Sequence, residues 1–85
     1  MSYRVDLPRK QQRALDVLPV DVRARISHAI ERLADQPRPP GAKKLQGSPL
    51  WRIRVGDYRV IYGIFDKIQV VTVSKILRRT THTYD

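Results

Sequence analysis

The chain has 85 residues and a net charge of +9 at pH 7, from 17 lysines and arginines against 8 aspartates and glutamates. A chain this short forms one domain over residues 1–85 with a modest core, and its charge favours nucleic acid or an acidic protein as the partner. Because it has no cysteine and two histidines, disulfides and thiolate sites are excluded, and we predict neither a metal nor a cofactor.

The N-terminal part of the sequence predicts a short strand followed by two helices. Tyr3 to Leu7 alternates between apolar and polar residues, which predicts a strand ended by Pro8. Apolar residues at helical spacing predict one helix over residues 8–18 and a second, amphipathic helix from Pro19 to about Gln36. The short connection between them predicts an antiparallel helical hairpin.

The segment from Gln36 to Gly47 holds three prolines and two glycines, and it predicts a loop that leads from the helices to a sheet. Lys43 and Lys44 lie in this loop. They either belong to a solvated loop or contribute to a binding surface.

The segment from Trp51 to Tyr62 predicts a β-hairpin around the two-residue turn Gly56-Asp57. This register pairs Arg54 with Arg59 and places Arg52 beside them on one face, because side chains alternate along a strand. Apolar side chains, including the aromatic ones, occupy the other face and predict core. Like charges directly opposite each other destabilise a sheet, so the arrangement indicates an anionic ligand.

A second hairpin is predicted after Tyr62, with a two-residue turn at Asp66-Lys67. This turn pairs Phe65 with Ile68 and Arg59 with Ser74, so a cross-strand bond to Ser74 is the structural alternative for Arg59. It also places Phe65, Ile68 and Val70 on the arginine face as an apolar patch. Such a patch indicates a partner site, unless the chain's own tail covers it.

The tail from Ile76 to Asp85 has no clear periodicity. We expect its basic and aromatic residues to be able to fold back on the arginine face. No apolar run along the chain approaches the roughly 18 residues that span a membrane, and the N-terminus lacks the apolar core of a signal peptide. We therefore expect a cytoplasmic protein.

The order of elements and the hairpin sequence resemble a known superfamily. Lys-Lys-Leu-x-Gly at 43–47, Trp-Arg-x-Arg-x-Gly-x-Tyr-Arg-x-x-Tyr at 51–62 and an arginine-rich tail ending near a tyrosine resemble the RelE/ParE toxins of bacterial type II toxin-antitoxin systems. The resemblance covers essentially the whole chain. It implies an α+β fold of order β-α-α-β-β-β, in which the helical hairpin packs on one face of a small, mainly antiparallel twisted sheet.

The resemblance leaves two activities open. RelE-like members are ribosome-dependent ribonucleases that cut mRNA in the 30S A site, whereas ParE-like members poison DNA gyrase, and both branches share the hairpin motif. A noncatalytic binder of nucleic acid or protein on the same fold is the third alternative. The tyrosine near the C-terminus is typical of the RelE-like branch, and we therefore predict a metal-independent endoribonuclease that inhibits translation.

By resemblance, the catalytic positions of RelE-like nucleases fall on Arg52, Arg54, Arg59, Arg78 and Tyr84. The first two are lysine in the best-known members. Arginine keeps the charge and adds bidentate phosphate geometry, but its pKa above about 12 makes it a poorer proton donor.

The implied reaction is attack of a ribose 2′-hydroxyl on the adjacent phosphate. Arginines stabilise the pentacoordinate phosphate, and Tyr84 is the candidate base, or else a stacking platform for a nucleobase. Arg78 stabilises or protonates the leaving group, and His82 is an alternative acid or an incidental residue.

The implied partners are the ribosome with its mRNA and a cognate acidic antitoxin, in a small toxin-antitoxin hetero-oligomer. The antitoxin is expected on Phe65, Ile68 and Val70 or on the outer surface of the helix pair. Other cations are either solvated or bind ribosomal RNA: Lys43, Lys44, Arg79, Arg23, Arg25 and Arg32.

Overall fold

The computed structural model describes residues 2–78, which form two helices and five strands. In chain order these are β1 (Arg4–Asp6), α1 (Arg9–Asp16), α2 (Val20–Arg32), β2 (Lys43–Lys44), β3 (Trp51–Val55), β4 (Tyr58–Phe65) and β5 (Val70–Arg78). The predicted α+β class and order of elements are confirmed, and a two-residue strand, β2, is added within the predicted loop.

The strands form one mixed sheet in the order β1-β5-β4-β3-β2. The three pairs from β2 to β5 are antiparallel, whereas β1 runs parallel to β5. The first strand, β1, is therefore an edge strand of the sheet and lies beside the last described strand, β5.

Both helices begin directly after a proline. Pro8 and Pro19 occupy the N-cap positions with φ of −57° and −53°, close to the φ that the proline ring imposes. The second helix ends at Arg32, four residues before its predicted end. Its last turn tightens to i→i+3 bonds from Leu33 and Ala34, as helix ends commonly do, and Pro37 follows.

The core lies between the helices and one face of the sheet. Ile26 and Leu33 of the helical segment are fully buried, as are Val60, Tyr62 and Val73 of the sheet. Burial of each aliphatic side chain of this size contributes about 1.5–3 kcal/mol. Trp51 and Tyr58 are half-buried against the same cluster, so the predicted core face of the first hairpin is confirmed.

The β3–β4 hairpin has the predicted register from Val55 opposite Tyr58 out to Trp51 opposite Tyr62. Gly56 in the turn has φ +59°, the left-handed conformation that two-residue hairpin turns require. This register fixes which side chains lie opposite the helices.

The predicted register of the β4–β5 hairpin is wrong. Phe65 pairs with Val70 rather than with Ile68, so the turn has four residues, 66–69, and Gln69 takes φ +54°. An irregularity next to Ile61 and Tyr62 shifts the register once more, and Arg59 lies opposite Leu77 rather than Ser74. The alternative in which Ser74 is the cross-strand partner of Arg59 is therefore wrong.

Within residues 2–78, neither helix has the length and apolar character needed to cross a bilayer.

Candidate functional site

Three arginines share the sheet face that lies opposite the helices. Arg54 of β3 is directly opposite Arg59 of β4, and Arg52 lies two residues along β3 on the same face. Side chains at directly opposite positions have Cβ atoms about 4.5–5.5 Å apart. The structure thus brings together the three cations that the sequence predicted for this face.

The three differ in exposure. Arg54 is exposed and Arg59 is half-buried, whereas Arg52 retains only 4% of its accessible surface. The Arg52 Nη1 donates to the Gly41 carbonyl oxygen at 3.3 Å. A buried guanidinium needs such partners because its desolvation is costly. Arg52 is therefore held in place by the loop that precedes β3.

The short strand β2 separates the roles of its two lysines. Lys43 pairs with Arg52 and so lies on the arginine face, whereas Lys44 pairs with Trp51 and starts from the opposite face. Both are exposed. The sequence prediction gave the two lysines the same role, but only Lys43 extends the cationic face.

Two clefts flank the loop residue Pro40, and Arg54 lines both of them. One, of about 370 Å³, also contains Lys43 and Arg52. The other, of about 360 Å³, reaches Arg32 at the end of α2. The cationic surface therefore continues from the sheet around the edge of β3 to the helix.

The arginines of α2 have separate positions. Arg25 covers the β3–β4 turn, since a Cβ atom at Gly56 would lie 3.4 Å from its Nη1. Arg23 instead donates to the Asp16 carbonyl oxygen at 3.0 Å, at the end of α1. Of the three predicted helix cations, Arg25 and Arg32 lie next to the β3–β4 hairpin, while Arg23 has a structural partner.

Lys75 is a further cation on the arginine face, and the sequence prediction missed it. It lies opposite Ile61, which alternates with Val60 of the core. The register irregularity at Ile61 and Tyr62 brings Lys75 and Leu77, rather than Ser74, to this face. No local sequence signal marks that irregularity.

Arg78 is the last residue of β5 and lies opposite Tyr58, whose side chain packs against the core. By alternation, its side chain starts from the face opposite to that of Arg54 and Arg59. It lies at the same end of the sheet as those arginines and is exposed. The other predicted tail residues, Arg79, His82 and Tyr84, lie outside the described residues.

The predicted apolar patch is smaller than expected. Phe65 and Ile68 are 52% and 70% exposed, but Val70 is only 7% exposed. Ile68 lies in the four-residue turn rather than on a strand. Val70 therefore does not contribute to an exposed patch, and the surface reduces to Phe65 and Ile68.

The site concentrates fixed positive charge on a shallow surface. Guanidinium groups remain charged at every physiological pH and match phosphate oxygens with paired N–H donors. Across residues 2–78, no group of three or more histidine, aspartate or glutamate side chains is placed to hold a metal ion. What the described residues offer is electrostatic stabilisation of a phosphate.

Comparison with known proteins identifies the family. The model of the ParE toxin of the parDE type II toxin-antitoxin system matches residues 6–82. A comparison with the curated proteins finds no match.

Several solved structures have the same fold. The archaeal RelE-RelB complex from Pyrococcus horikoshii matches with 33% identity and a TM-score of 0.85, over 95% of this chain and 99% of that one. The RelBE2 toxin-antitoxin complex from Mycobacterium tuberculosis has 24% identity and a TM-score of 0.81, over 93% and 100%. A free arginine double mutant of the E. coli toxin RelE has 25% identity and a TM-score of 0.76, over 92% and 84%. The chain belongs to the ParE toxin family and is a type II toxin-antitoxin toxin with the RelE/ParE fold.

Proposed function

We propose that the chain is a ribosome-dependent endoribonuclease that cuts mRNA in the 30S A site and thereby inhibits translation. One structural observation supports phosphate binding: Arg52, Arg54 and Arg59 lie on one sheet face, with Lys43 paired beside Arg52. The preference for a nuclease over a gyrase inhibitor rests on the sequence resemblance at Arg78 and Tyr84. Sheet stability disfavours like charges at opposite positions. A phosphate bound between them attracts each cation, and this attraction offsets their mutual repulsion.

The proposed reaction needs no metal. The ribose 2′-oxygen bonds to the adjacent phosphorus and loses its proton to a base. The bond from phosphorus to the 5′-oxygen breaks, and that oxygen takes a proton from an acid. The products are a 2′,3′-cyclic phosphate and a 5′-hydroxyl.

In this reaction the exposed Arg54 and the half-buried Arg59 bind the phosphate and stabilise the charge that develops on its oxygens, and the buried Arg52 adds its fixed charge beneath them. They do not serve as the base, because a guanidinium carries only N–H donors and has no lone pair available to accept a proton. Tyr84 remains the proposed base, and Arg78 or His82 the group that assists the leaving oxygen. The roles of Tyr84 and Arg78 rest on the sequence resemblance, and that of His82 on the suitability of histidine for proton transfer near neutral pH.

We propose that the ribosome supplies most of the substrate positioning. The described surface is shallow and cannot surround an RNA strand, and orientation of the reacting groups by a partner contributes several kcal/mol. The net charge of +9 favours association with ribosomal RNA, and Arg25, Arg32 and Lys43 are exposed cations for that contact.

A RelB-type antitoxin of acidic character is the proposed inhibitor, in a small hetero-oligomer. Two of the matching structures are RelE-RelB and RelBE2 complexes, and acidic residues complement the charge of this chain. Phe65 and Ile68 are exposed apolar residues suited to such a contact, and the outer surface of the helix pair is the alternative.

Inhibition of DNA gyrase is the second candidate, because the family model that matches residues 6–82 is that of the ParE toxin. In that case the cationic face would contact a protein or DNA and would carry out no chemistry. The two functions predict different molecular damage in the cell.

The deciding experiment expresses the full chain in growing cells and maps mRNA 5′ ends alongside DNA breaks. We expect new 5′ ends in phase with codons, only on translated messages, and little cutting of naked transcripts at physiological salt. DNA breaks with intact mRNA would support gyrase inhibition instead. Rapid cutting of naked RNA would contradict the dependence on the ribosome.

A further inference from the structure

Three residues from distant parts of the chain meet at the β4–β5 turn. Asp66 in this turn accepts a hydrogen bond from the Tyr3 hydroxyl at 2.6 Å and pairs with Arg38 Nη2 at 2.9 Å. The Arg38 guanidinium also lies 5.3 Å from the centroid of the Trp51 ring, within the range of a cation–π contact. We call Tyr3, Arg38, Trp51 and Asp66 the clasp.

The clasp acts on the loop that connects α2 to β2. Besides the Arg38 contacts, the Pro37 carbonyl oxygen accepts a hydrogen bond from the buried Tyr62 hydroxyl at 2.7 Å. At the other end of the segment, the Gly41 carbonyl oxygen accepts from Arg52 Nη1 at 3.3 Å. The stretch 37–41 is thus held at both ends and at Arg38 between them.

This stretch also shapes the cationic site. Pro40 lines both of the clefts that Arg54 lines, and Lys43 follows two residues after Gly41. A shift of the loop would therefore move the carbonyl that holds Arg52, the wall between the two clefts and the strand that carries Lys43.

The side chains of Arg38 and Asp66 are about half exposed, at 45% and 54%. Exposed ion pairs contribute little to global stability because solvent screens them. Arg38 and Tyr3 hold the pKa of Asp66 below its usual value, and Asp66 raises the pKa of Tyr3. The carboxylate and the protonated phenol therefore coexist at neutral pH. The clasp is suited to fix a local conformation without being essential for folding.

We propose that Arg38 and Asp66 are positioning residues, which act through the 37–41 loop to hold Arg52 and Lys43 in the arrangement that stabilises the reacting phosphate. The inference rests on the proposed nuclease function for its effect on activity. Its structural part, that the clasp sets the position of the loop, is independent of that function.

The test compares Asp66→Asn and Arg38→Gln with Asp6→Asn, in the full chain. Asp6 forms the other ion pair within residues 2–78, with Arg4 of the edge strand β1, at 3.2 Å. Asp6→Asn therefore also removes one negative charge from an ion pair, but at a position away from the 37–41 loop. On mRNA in stalled ribosomes, we expect the two clasp variants to lose about 10-fold in kcat with KM within about twofold, since misplaced groups lower the rate of chemistry. Asp6→Asn should match the wild type.

Asp66→Glu provides the rescue, because it restores a carboxylate at an exposed turn where an extra methylene is tolerated. We expect it to recover most of the kcat lost in Asp66→Asn. Amide hydrogen exchange across residues 37–44 supplies a readout that needs no activity. There, both clasp variants should exchange at least threefold faster than wild type, with unchanged exchange in α2.

The exchange and activity measurements separate the structural part of the proposal from the positioning role. Unchanged exchange of the loop in both clasp variants would overturn the proposal, whatever the activity. Faster exchange with a wild-type kcat would overturn the positioning role while leaving the structural part standing. If wild type itself does not cut mRNA but the loop exchange rises as expected, the proposed function fails and the clasp survives.

Discussion

The two faces of the sheet are shaped by different requirements. On the helix face, Val60, Tyr62 and Val73 are fully buried, and each is explained by burial of apolar surface. On the opposite face, Arg54 and Arg59 lie directly opposite each other, an arrangement that costs stability. Neighbouring residues of β4 therefore have different purposes, because Val60 stabilises the fold whereas Arg59 is placed to bind a ligand. Variants of adjacent residues are the natural way to test that separation.

The largest expected effect is on activity, from Arg59→Gln. Removal of one donor that stabilises developing charge lowers kcat by about 10²–10³-fold, or about 2.7–4 kcal/mol. Single-turnover cleavage of ribosome-bound mRNA measures the loss, and Arg4→Gln on the edge strand is the matched control. Since Arg59 lies among cations, we expect its free energy of unfolding to stay within about 1 kcal/mol of wild type. A variant that unfolds while its residual folded fraction remains fully active would assign Arg59 to the core instead.

The next effect is on alkaline stability, through Tyr62 on the helix face. Burial raises the pKa of Tyr62 to about 12, while the unfolded chain has a tyrosine pKa of about 10. Because the folded state holds the proton more tightly, the stabilisation is complete below pH 10 and is lost as pH rises towards 12. Two units of pKa correspond to about 2.7 kcal/mol.

Urea unfolding between pH 9 and 12 measures this loss, and Tyr62→Phe provides the comparison. We expect the variant to be less stable than wild type at pH 8, because the Pro37 carbonyl loses its donor. It should nevertheless lose less stability than wild type over the alkaline range. Identical slopes for the two proteins would show that another group titrates.

The smallest expected effect is from Val60→Ala, next to Arg59 on the same strand. Val60 is fully buried, and loss of its two methyl groups costs about 2 kcal/mol through lost burial and the remaining cavity. Thermal or urea unfolding measures the loss. Cleavage per folded molecule should stay at the wild-type level, and a large fall in kcat at full folding would mean that the two faces are not separable.

The first hairpin was predictable pair by pair because its turn is encoded locally. Gly56 accepts φ +59° without strain, and a two-residue turn leaves one register for the strands around it. Alternation then sorts apolar from cationic side chains. That is why Arg52, Arg54 and Arg59 were placed together correctly from the sequence.

The second hairpin was not predictable in the same way. Its turn has four residues and relies on Gln69 at φ +54°, a conformation that the residue type does not indicate. The irregularity next to Ile61 then exchanges Ser74 for Lys75 and Leu77 on the arginine face. The longer turn shifts the partner of Phe65 by two residues, which preserves the facing, whereas the one-residue irregularity moves every later side chain of β5 to the other face.

Two further features depend on contacts between distant segments. Arg52 is buried and donates a hydrogen bond to the carbonyl of Gly41, which lies 11 residues earlier in the chain. The clasp joins residues 3, 38, 51 and 66. Neither has a periodic pattern or a motif. The sequence identifies the cations, and the tertiary structure decides which of them is held rigidly.

The parallel pairing of β1 with β5 bears on when the toxin acquires its structure. Arg4 pairs with Val70, so β1 cannot find its partner strand until all the elements between them have been synthesised. Such a distant pairing must overcome the entropy cost of closing a long loop. The β3–β4 hairpin avoids this cost because a two-residue turn joins its strands. The complete sheet, and the core between it and the helices, therefore assembles only after β5 has left the ribosome. A nascent chain from which β5 has not yet emerged therefore lacks the finished sheet.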